Sequence, residues 1–519
     1  MYPTVSSVQT NSTGLNGKPY FICEYAHAMG QAEGNLQEYW DVIEASTGII
    51  GGCIWDWVDQ AIYNPADLVN GTKMKNGFHN WVAGYDYNSP SGVNYGFQGN
   101  FLDNGIITPD RAWTAKLTEV KQVYQNVAFT NLSNKTLTVK NKNCFTNLNV
   151  YDLVYQLLRD GRVVSEGKVE MPSVEPGATG TVSVPYNNAL VTGDAEYLLN
   201  VSLCLKTANS WAQKGYDVAN AQFSLQDRPS ILTSHTADGG SLNVSGTTVS
   251  GTTKDGKPFN LNFSSGKLNS WTYNGTSLIA AGPDFNSTRD IDNDRNGSLP
   301  GFITSSTISV VNSLQKSGNN AMMTVSGTNS QCDYTIDYTI YPDAVVDMKV
   351  TFSPKAATRR LGLTMQFAEG FENVEYYARG PWSNYVDRKT GSRLGRYVTT
   401  VDNMIDENIH PQTFGDHQEL RELVLTNTSS NVKLGIQTEG NVAFSLSHYN
   451  EMDFCGTGDT MWSDGKHWYD LTRYDQVFAH FDAAQRGLGN NSCGGDIILD
   501  QYTCPTSGTL IYTLRLTPQ

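Results

Sequence analysis

Glu24 and His27 stand three residues apart in the run Pro19-Tyr20-Phe21-Ile22-Cys23-Glu24-Tyr25-Ala26-His27-Ala28-Met29-Gly30. A carboxylate at the C-terminal end of a buried parallel strand sits where α/β barrels keep their reacting groups. A histidine three residues on can hydrogen-bond a ligand or orient the carboxylate. The plainer alternative is a glutamate capping a turn and a histidine satisfied in a core. Burying an acid without a partner is costly, so on chemistry alone the two readings weigh equally. A second cluster, Trp55-Asp56-Trp57-Val58-Asp59-Gln60, follows another apolar run. Trp55 can offer its face to the apolar side of a sugar ring or plug a barrel rim, and these readings are also balanced. Asp56 and Asp59 read as structural hydrogen-bonders, and Asn104-Gly105 reads as a turn.

Both clusters need strands to position them. The unbroken apolar run before Glu24 predicts a strand over 19–24, buried on both faces as in a parallel sheet. Asn35 with Glu38 three residues later predicts a capping box. Leu36, Tyr39, Trp40 and Ile43 recur at helical spacing, so 36–46 is predicted as a helix with that stripe, Trp40 included, packed inward. Residues 48–55 predict a second buried strand. Strand, helix and strand in about 35 residues make one βαβ unit. Residues 1–18 are polar and show no periodicity. From 61 to 112 the chain is rich in Gly, Asn and aromatic residues (His79, Trp81, Tyr85, Tyr95, Phe97, Phe101), the composition of a functional loop or a domain contact. A closing helix is predicted over 114–124.

From 126 to 228 the pattern is wholly β, with Asp160-Gly161 marking a tight hairpin. Its strands suggest an immunoglobulin-like sandwich. Residues 227–241 read as a linker. The remaining chain is again β, with Asp255-Gly256 and Asn274-Gly275 turns, and is long enough for a large two-sheet structure. No short-period repeat points to a propeller or solenoid.

A chain of 519 residues suggests two to four domains. The net charge of −15 disfavours nucleic acid and anionic membranes and fits a neutral substrate such as a sugar. The 8 cysteines form no CxxC pair, which disfavours a zinc ribbon or redox motif. Cys23 and Cys53 lie in apolar runs and read as small buried hydrophobes. Cys493 and Cys504 are near enough in sequence to pair, though spacing does not establish it. No run approaches the roughly 20 apolar residues of a membrane span. The first residues lack a signal-peptide pattern, so the expectation is a soluble protein, cytoplasmic or periplasmic.

The stretch Cys23 to Gly30, read CEYAHAMG, resembles the nucleophile segment of the large β-galactosidases of glycoside hydrolase family 2, matching all eight positions of its motif. Residues 51–60 are similar to that family's GGFVWDWVDQ. Phe101-Leu102-Asp103-Asn104-Gly105, with Asp110-Arg111 and Leu117-Thr118-Glu119, resembles its FCMNG…DR…LTE run. Further likeness lies in Arg289 to Asp294, in Arg379-Gly380-Pro381 to Asp387-Arg388, in Gly487-Leu488-Gly489 and in Cys493-Gly494-Gly495. Their charged residues are expected to act as turn and ion-pair scaffolding. The resemblance implies a multidomain, mostly β protein. Residues 1–125 would be the last strands of a (β/α)8 barrel, 126–228 an immunoglobulin-like sandwich, and 229–519 a β-galactosidase small-chain-type supersandwich of galactose-mutarotase-like fold.

By the same resemblance Glu24 is the catalytic nucleophile, and His27, Trp55 and Asn104 bind substrate. The Phe101 backbone oxygen and Asn104 hold sodium. The implied activity is retaining hydrolysis of terminal β-D-galactosides such as lactose. Retention needs a nucleophile and an acid/base carboxyl about 5–5.5 Å apart. In the family the acid/base glutamate and the magnesium ligands belong to earlier barrel strands that this sequence does not contain, although both Mg2+ and Na+ are expected for the complete enzyme. The chain is therefore expected to be a C-terminal half, inactive alone, with residues 1–125 dependent on a partner chain carrying the missing barrel strands or on a homo-oligomer. Where some members bring a tryptophan from the final loop, the aligned residue is Cys493. The alternative is a non-catalytic carbohydrate-binding or assembly fragment, and a lesser one is another family 2 specificity such as glucuronidase or mannosidase. A mutarotase-like epimerase finds no clear His/Glu pair in the sequence.

Overall fold

The computed structural model describes residues 1–63, 76–82, 86, 102–230, 235–292, 301–455, 466–490 and 498–519. The chain divides into two compact units. The first comprises Met1–Thr118, Leu232–Ser392 and Tyr397–Gln519, and the second Glu119–Ile231 with Arg393–Arg396.

The first unit opens with a short helix, α1 (Val5–Thr10), in the segment without periodicity. The Thr4 hydroxyl starts it by accepting the Ser7 amide at 3.1 Å, a local cap that a periodicity search does not detect. Next come β1 (Tyr20–Tyr25), α2 (Leu36–Ala45) and β2 (Ile49–Ile54). β1 and β2 pair in parallel, as the strand–helix–strand pattern predicts. α2 buries Leu36, Tyr39 and Ile43. Trp40 is only half-buried, and its indole N–H donates to the Tyr25 hydroxyl at 2.8 Å.

Two local expectations fail here. Asn35 adopts φ +61° and makes no side-chain cap, while Glu38 accepts a hydrogen bond from the Tyr502 hydroxyl. A partner from the far end of the chain has displaced the local capping box. The strands are also not buried on both faces: Phe21 is 49% and Ile50 68% exposed, and Cys23 and Cys53 are exposed rather than core residues. Of β1, only Ile22 and Tyr25 are buried. An apolar run reveals affinity for a covered surface, and it does not reveal what does the covering. The sheet has two strands, so it is an open piece of barrel in which each strand keeps an unpaired edge among the described residues. The predicted closing helix forms as α3 (Ala115–Val123).

The rest of this unit is β. Among the described residues an eight-stranded sheet and a nine-stranded sheet share one core that includes Phe263, Trp271, Phe285, Tyr338, Phe352 and Phe481. Hairpins form at the predicted turns: Tyr273 pairs with Thr276 around Asn274 and Gly275, both at positive φ.

The second unit contains β3 (Val127–Ser133), β4 (Thr136–Asn141), β5 (Tyr151–Arg159), β6 (Arg162–Glu170), β7 (Thr179–Ser183), β8 (Tyr197–Leu205) and β9 (Asp217–Gln226). They form sheets ordered β3-β4-β7 and β6-β5-β8-β9, the two-sheet arrangement the strand pattern suggested. Leu137, Val139, Leu153, Leu199 and Val201 fill its core. The β5–β6 hairpin turns at Asp160-Gly161, with Arg159 paired to Arg162.

Trp271 is fully buried in the shared core of the two large sheets. Trp271→Ala is expected to cost about 3–5 kcal/mol, through lost burial and the cavity left behind. Urea unfolding followed by circular dichroism checks this.

Candidate active site

Glu24, the penultimate residue of β1, is half-buried, with its carbonyl accepting the Tyr2 amide at 2.8 Å. Beyond it the chain turns at Ala26 (φ +48°) and runs buried through to Leu36. Main-chain bonds stitch this run to the end of β2 and to the Asn104 turn. Trp55 N donates to Tyr25 O at 3.0 Å, Ala28 N to Trp55 O at 2.8 Å, and Asp56 N to Asn104 O at 2.6 Å. Glu24, His27, Trp55 and Asn104 therefore lie on three short segments tied to one another. Phe101 lies outside the described residues, as do Tyr85, Tyr95, Phe97, Asp294 and Cys493, and with Cys493 its pairing with Cys504.

His27 is fully buried, with its ring edge-on to that of Tyr2 at 5.4 Å. Burial, reinforced by the Lys116 charge, lowers its pKa to about 4. Lys116 is itself buried, and its Nζ donates to the Ala28 carbonyl at 3.0 Å. Asp59 accepts the Gly105 amide at 2.7 Å, and burial raises its pKa to about 6. Asp56 accepts from the Trp57 amide and from Gln60. Both aspartates thus brace the backbone. Asp103 is buried and neither carboxylate oxygen finds a hydrogen-bond partner among the described residues. Burial, then the nearby Asp59 and Asp292, raises its pKa well above the usual range. Neither Lys116 nor Asp103 carries a local sequence signal that marks it out.

The loop after β1 is held by distant segments of the same unit. His27 N donates to Asn490 O at 2.9 Å, Gly34 N to Gly489 O at 2.7 Å, and Asn35 N to Asp387 O at 2.9 Å. Asn490 Nδ2 returns a bond to Gly34 O at 2.8 Å, and Gln412 Oε1 accepts the Gln31 amide at 3.0 Å. Arg388 Nη1 donates to Gln31 O at 2.6 Å. Arg289 donates to the carbonyls of Arg486 and Gly487. Two glycines make the approach possible: a Cβ at Gly30 (φ +57°) would fall 2.4 Å from the Gln412 amide, and one at Gly34 1.9 Å from Asp387 Oδ2. The described part of the 61–112 loop packs in the same unit, with His79 Nδ1 3.1 Å from Glu407 and Phe78 stacked on Trp468.

For a cation, Asn104 offers a hard amide oxygen on a buried turn, the donor type that sodium-like ions take. Among the described residues no group of three or more His, Cys, Asp or Glu could hold a metal.

Residues 2–129 match the glycosyl hydrolases family 2 TIM barrel domain, which defines the class. Residues 137–226 match β-galactosidase domain 4, and 253–516 match the β-galactosidase small chain. The chain belongs to the β-galactosidases of glycoside hydrolase family 2. It is similar to β-galactosidases of Priestia megaterium (28% identical, covering 100% of this chain and 49% of the relative) and Streptococcus thermophilus (28%, 98% and 48%). The chain thus spans about half the length of these relatives. Among solved structures, a galactose 1-epimerase from Lactobacillus acidophilus aligns over 52% of this chain and 94% of its own, at 9% identity and a TM-score of 0.32. No helix among the described residues is long and apolar enough to cross a membrane.

Gly34→Ala is expected to destabilise the fold by about 1–3 kcal/mol, because the new Cβ must displace Asp387. Urea titration against the wild type checks it. Because the folded pKa of His27 lies near 4 and its ordinary value is 6.5, the unfolded chain binds the extra proton between them. The contribution of His27 is complete above that ordinary value and falls as pH drops toward 4. The urea midpoint is expected to fall less between pH 7 and pH 5 in His27→Gln than in wild type.

Proposed function

We propose that this chain supplies the nucleophile-bearing part of a retaining β-galactosidase acting on terminal β-D-galactosides such as lactose, with Glu24 as the nucleophile. The observation that carries this reading is a half-buried carboxylate at the C-terminal end of a parallel strand, tied by main-chain bonds to the Trp55 and Asn104 segments. The relatives named β-galactosidase support the same reaction class. Three domains, 1–125, 126–228 and 229–519, divide the work.

Glu24 attacks the anomeric carbon and forms a glycosyl-enzyme, while a second carboxyl about 5–5.5 Å away protonates the leaving oxygen and later activates water. His27, uncharged at neutral pH, hydrogen-bonds a sugar hydroxyl without adding a charge beside the nucleophile. Trp55 presents its ring to the apolar face of the sugar, and Asn104 binds a hydroxyl. The Asn104 side chain and the Phe101 carbonyl would hold a sodium ion, which supplies fixed positive charge for sugar oxygens. The acid/base and the magnesium ligands would come from further barrel strands, on a partner chain or in an oligomer. The exposed Phe21 and Ile50 side chains on the open two-stranded sheet support such pairing.

The test is hydrolysis of an aryl β-galactoside by the chain alone and after mixing with a polypeptide carrying the N-terminal half of a relative. Activity is expected only on mixing, and Glu24→Gln should lower it by about three orders of magnitude. A stable complex without activity would favour the non-catalytic fragment. Ordinary turnover by the chain alone would contradict the need for added strands.

A further inference from the structure

The eight-stranded sheet has a second face, and it is not plain solvent-facing surface. Five adjacent strands, Lys267–Tyr273, Thr276–Asn286, Arg360–Phe367, Val477–Gln485 and Ala443–Ser447, lie side by side in that order. Alternate residues, among them Phe285, Leu363, Phe481 and Phe444, enter the core. The intervening positions line a cavity of about 330 Å³ on the opposite face. Register sets them in rows: Asp284 opposes Thr364, Thr364 opposes His480, and His480 opposes Ser445. In the next row Gln366 opposes Phe478, which opposes Ser447. The hydroxyl-bearing residues are short, so a ligand can come close to the sheet.

One wall is rigidly built. Arg360 is fully buried, with Nε 2.8 Å from Asp482 and Nη1 3.3 Å from each oxygen of Glu451. The same Nη1 lies 3.1 Å from His480 Nδ1. A guanidinium only donates, so Nδ1 accepts and the imidazole proton sits on Nε2, which faces Glu451 at 3.0 Å. Burial opposes the charge of Glu451, while the hydrogen bond from His480 Nε2–H and the Arg360 guanidinium favour it. On the opposite side Lys267 pairs with Asp284. Each cation near the cavity, Arg360 and Lys267, is thus already engaged by carboxylates, Asp482, Glu451 and Asp284, which leaves no unpaired positive charge among these groups to attract an anionic ligand.

What the cavity offers is amides and hydroxyls that both donate and accept, from Asn269, Gln366, Thr364 and Ser445, beside the rings of Phe478 and Tyr449. Hydroxyl groups need that dual capacity, and ring C–H faces need flat apolar surface. The volume lies at the lower end of the about 300–1,000 Å³ typical of small-molecule sites. We propose that this cavity binds a neutral, polyhydroxylated small molecule of monosaccharide size. Its lining includes none of Glu24, His27, Trp55 and Asn104.

The test is calorimetric titration of the full chain with D-galactose and D-glucose, with D-gluconate as the anionic control. Saturable binding of at least one neutral hexose is expected, unchanged in Glu24→Gln and weakened about tenfold in Gln366→Ala, the loss of a neutral hydrogen bond or two. Ser445→Trp should fill the cavity and abolish binding. Gln366 is only half-exposed sheet surface, so its truncation tests the site even if the bulkier variant folds poorly. Absence of hexose binding, binding unchanged in Gln366→Ala, binding lost in Glu24→Gln, or preference for gluconate would each overturn the proposal. Because the Glu24 variant is in the panel, failure here is separable from failure of the hydrolase reading.

Discussion

The buried carboxylate of Asp387 accepts the Leu488 and Gly489 amides at 2.8 and 2.9 Å, while its own carbonyl takes the Asn35 amide at 2.9 Å. One residue thus fixes the Gly487–Asn490 segment and the end of the loop that follows Glu24. Burial raises the pKa of this carboxyl, and the two amide bonds work against that rise. Taking away the acceptor would strand two buried donors, a larger loss than the bonds themselves contribute. β1 itself has a single paired neighbour among the described residues, so the Glu24 loop relies on such tertiary bonds.

From this constraint the division of labour in the first unit follows. The large β structure is a clamp for a buried loop: Arg388 and Gln412 hold Gln31, and Asn490 holds both His27 and Gly34, while Lys116 of α3 holds Ala28. The charged residues Arg289, Asp387 and Arg388 act on backbone carbonyls and amides, as scaffolding does. The two-stranded sheet is the opposite case. It is well anchored at its C-terminal end and apolar and open along the rest, so the anchored end is where chemistry can be precise and the open part is where further strands can add.

Much of the local structure was legible in the sequence. The apolar run before Glu24, the stripe Leu36-Tyr39-Ile43 and the run at 49–54 gave β1, α2 and β2 and their parallel pairing, because each periodicity has one regular solution. The hairpins at Asp160-Gly161 and Asn274-Gly275 were legible for the same reason. What was not legible was non-local. Asn35 and Glu38 have the spacing of a cap, yet Glu38 bonds Tyr502 and Asn35 is left-handed, because a tertiary partner outbid the local one. Cys23 and Cys53 sit in apolar runs but face outward, since the sequence does not state what covers a face. Lys116 and Asn490 gave no signal, because their roles depend on contacts with Ala28 and Gly34, residues far from them in sequence. The eight-residue match around Glu24 pointed to the site more sharply than any chemistry read from single residues.

The dependence of the Glu24 loop on Asp387 and the segment it holds is tested most directly by hydrogen exchange of the full chain, wild type against Asp387→Ala. The amides of His27, Gly34 and Asn35 are expected to exchange together with those of Leu488 and Gly489, and the substitution to speed both groups in parallel. Fast exchange of the His27–Asn35 amides in wild type, with Leu488 and Gly489 still protected, would contradict that dependence.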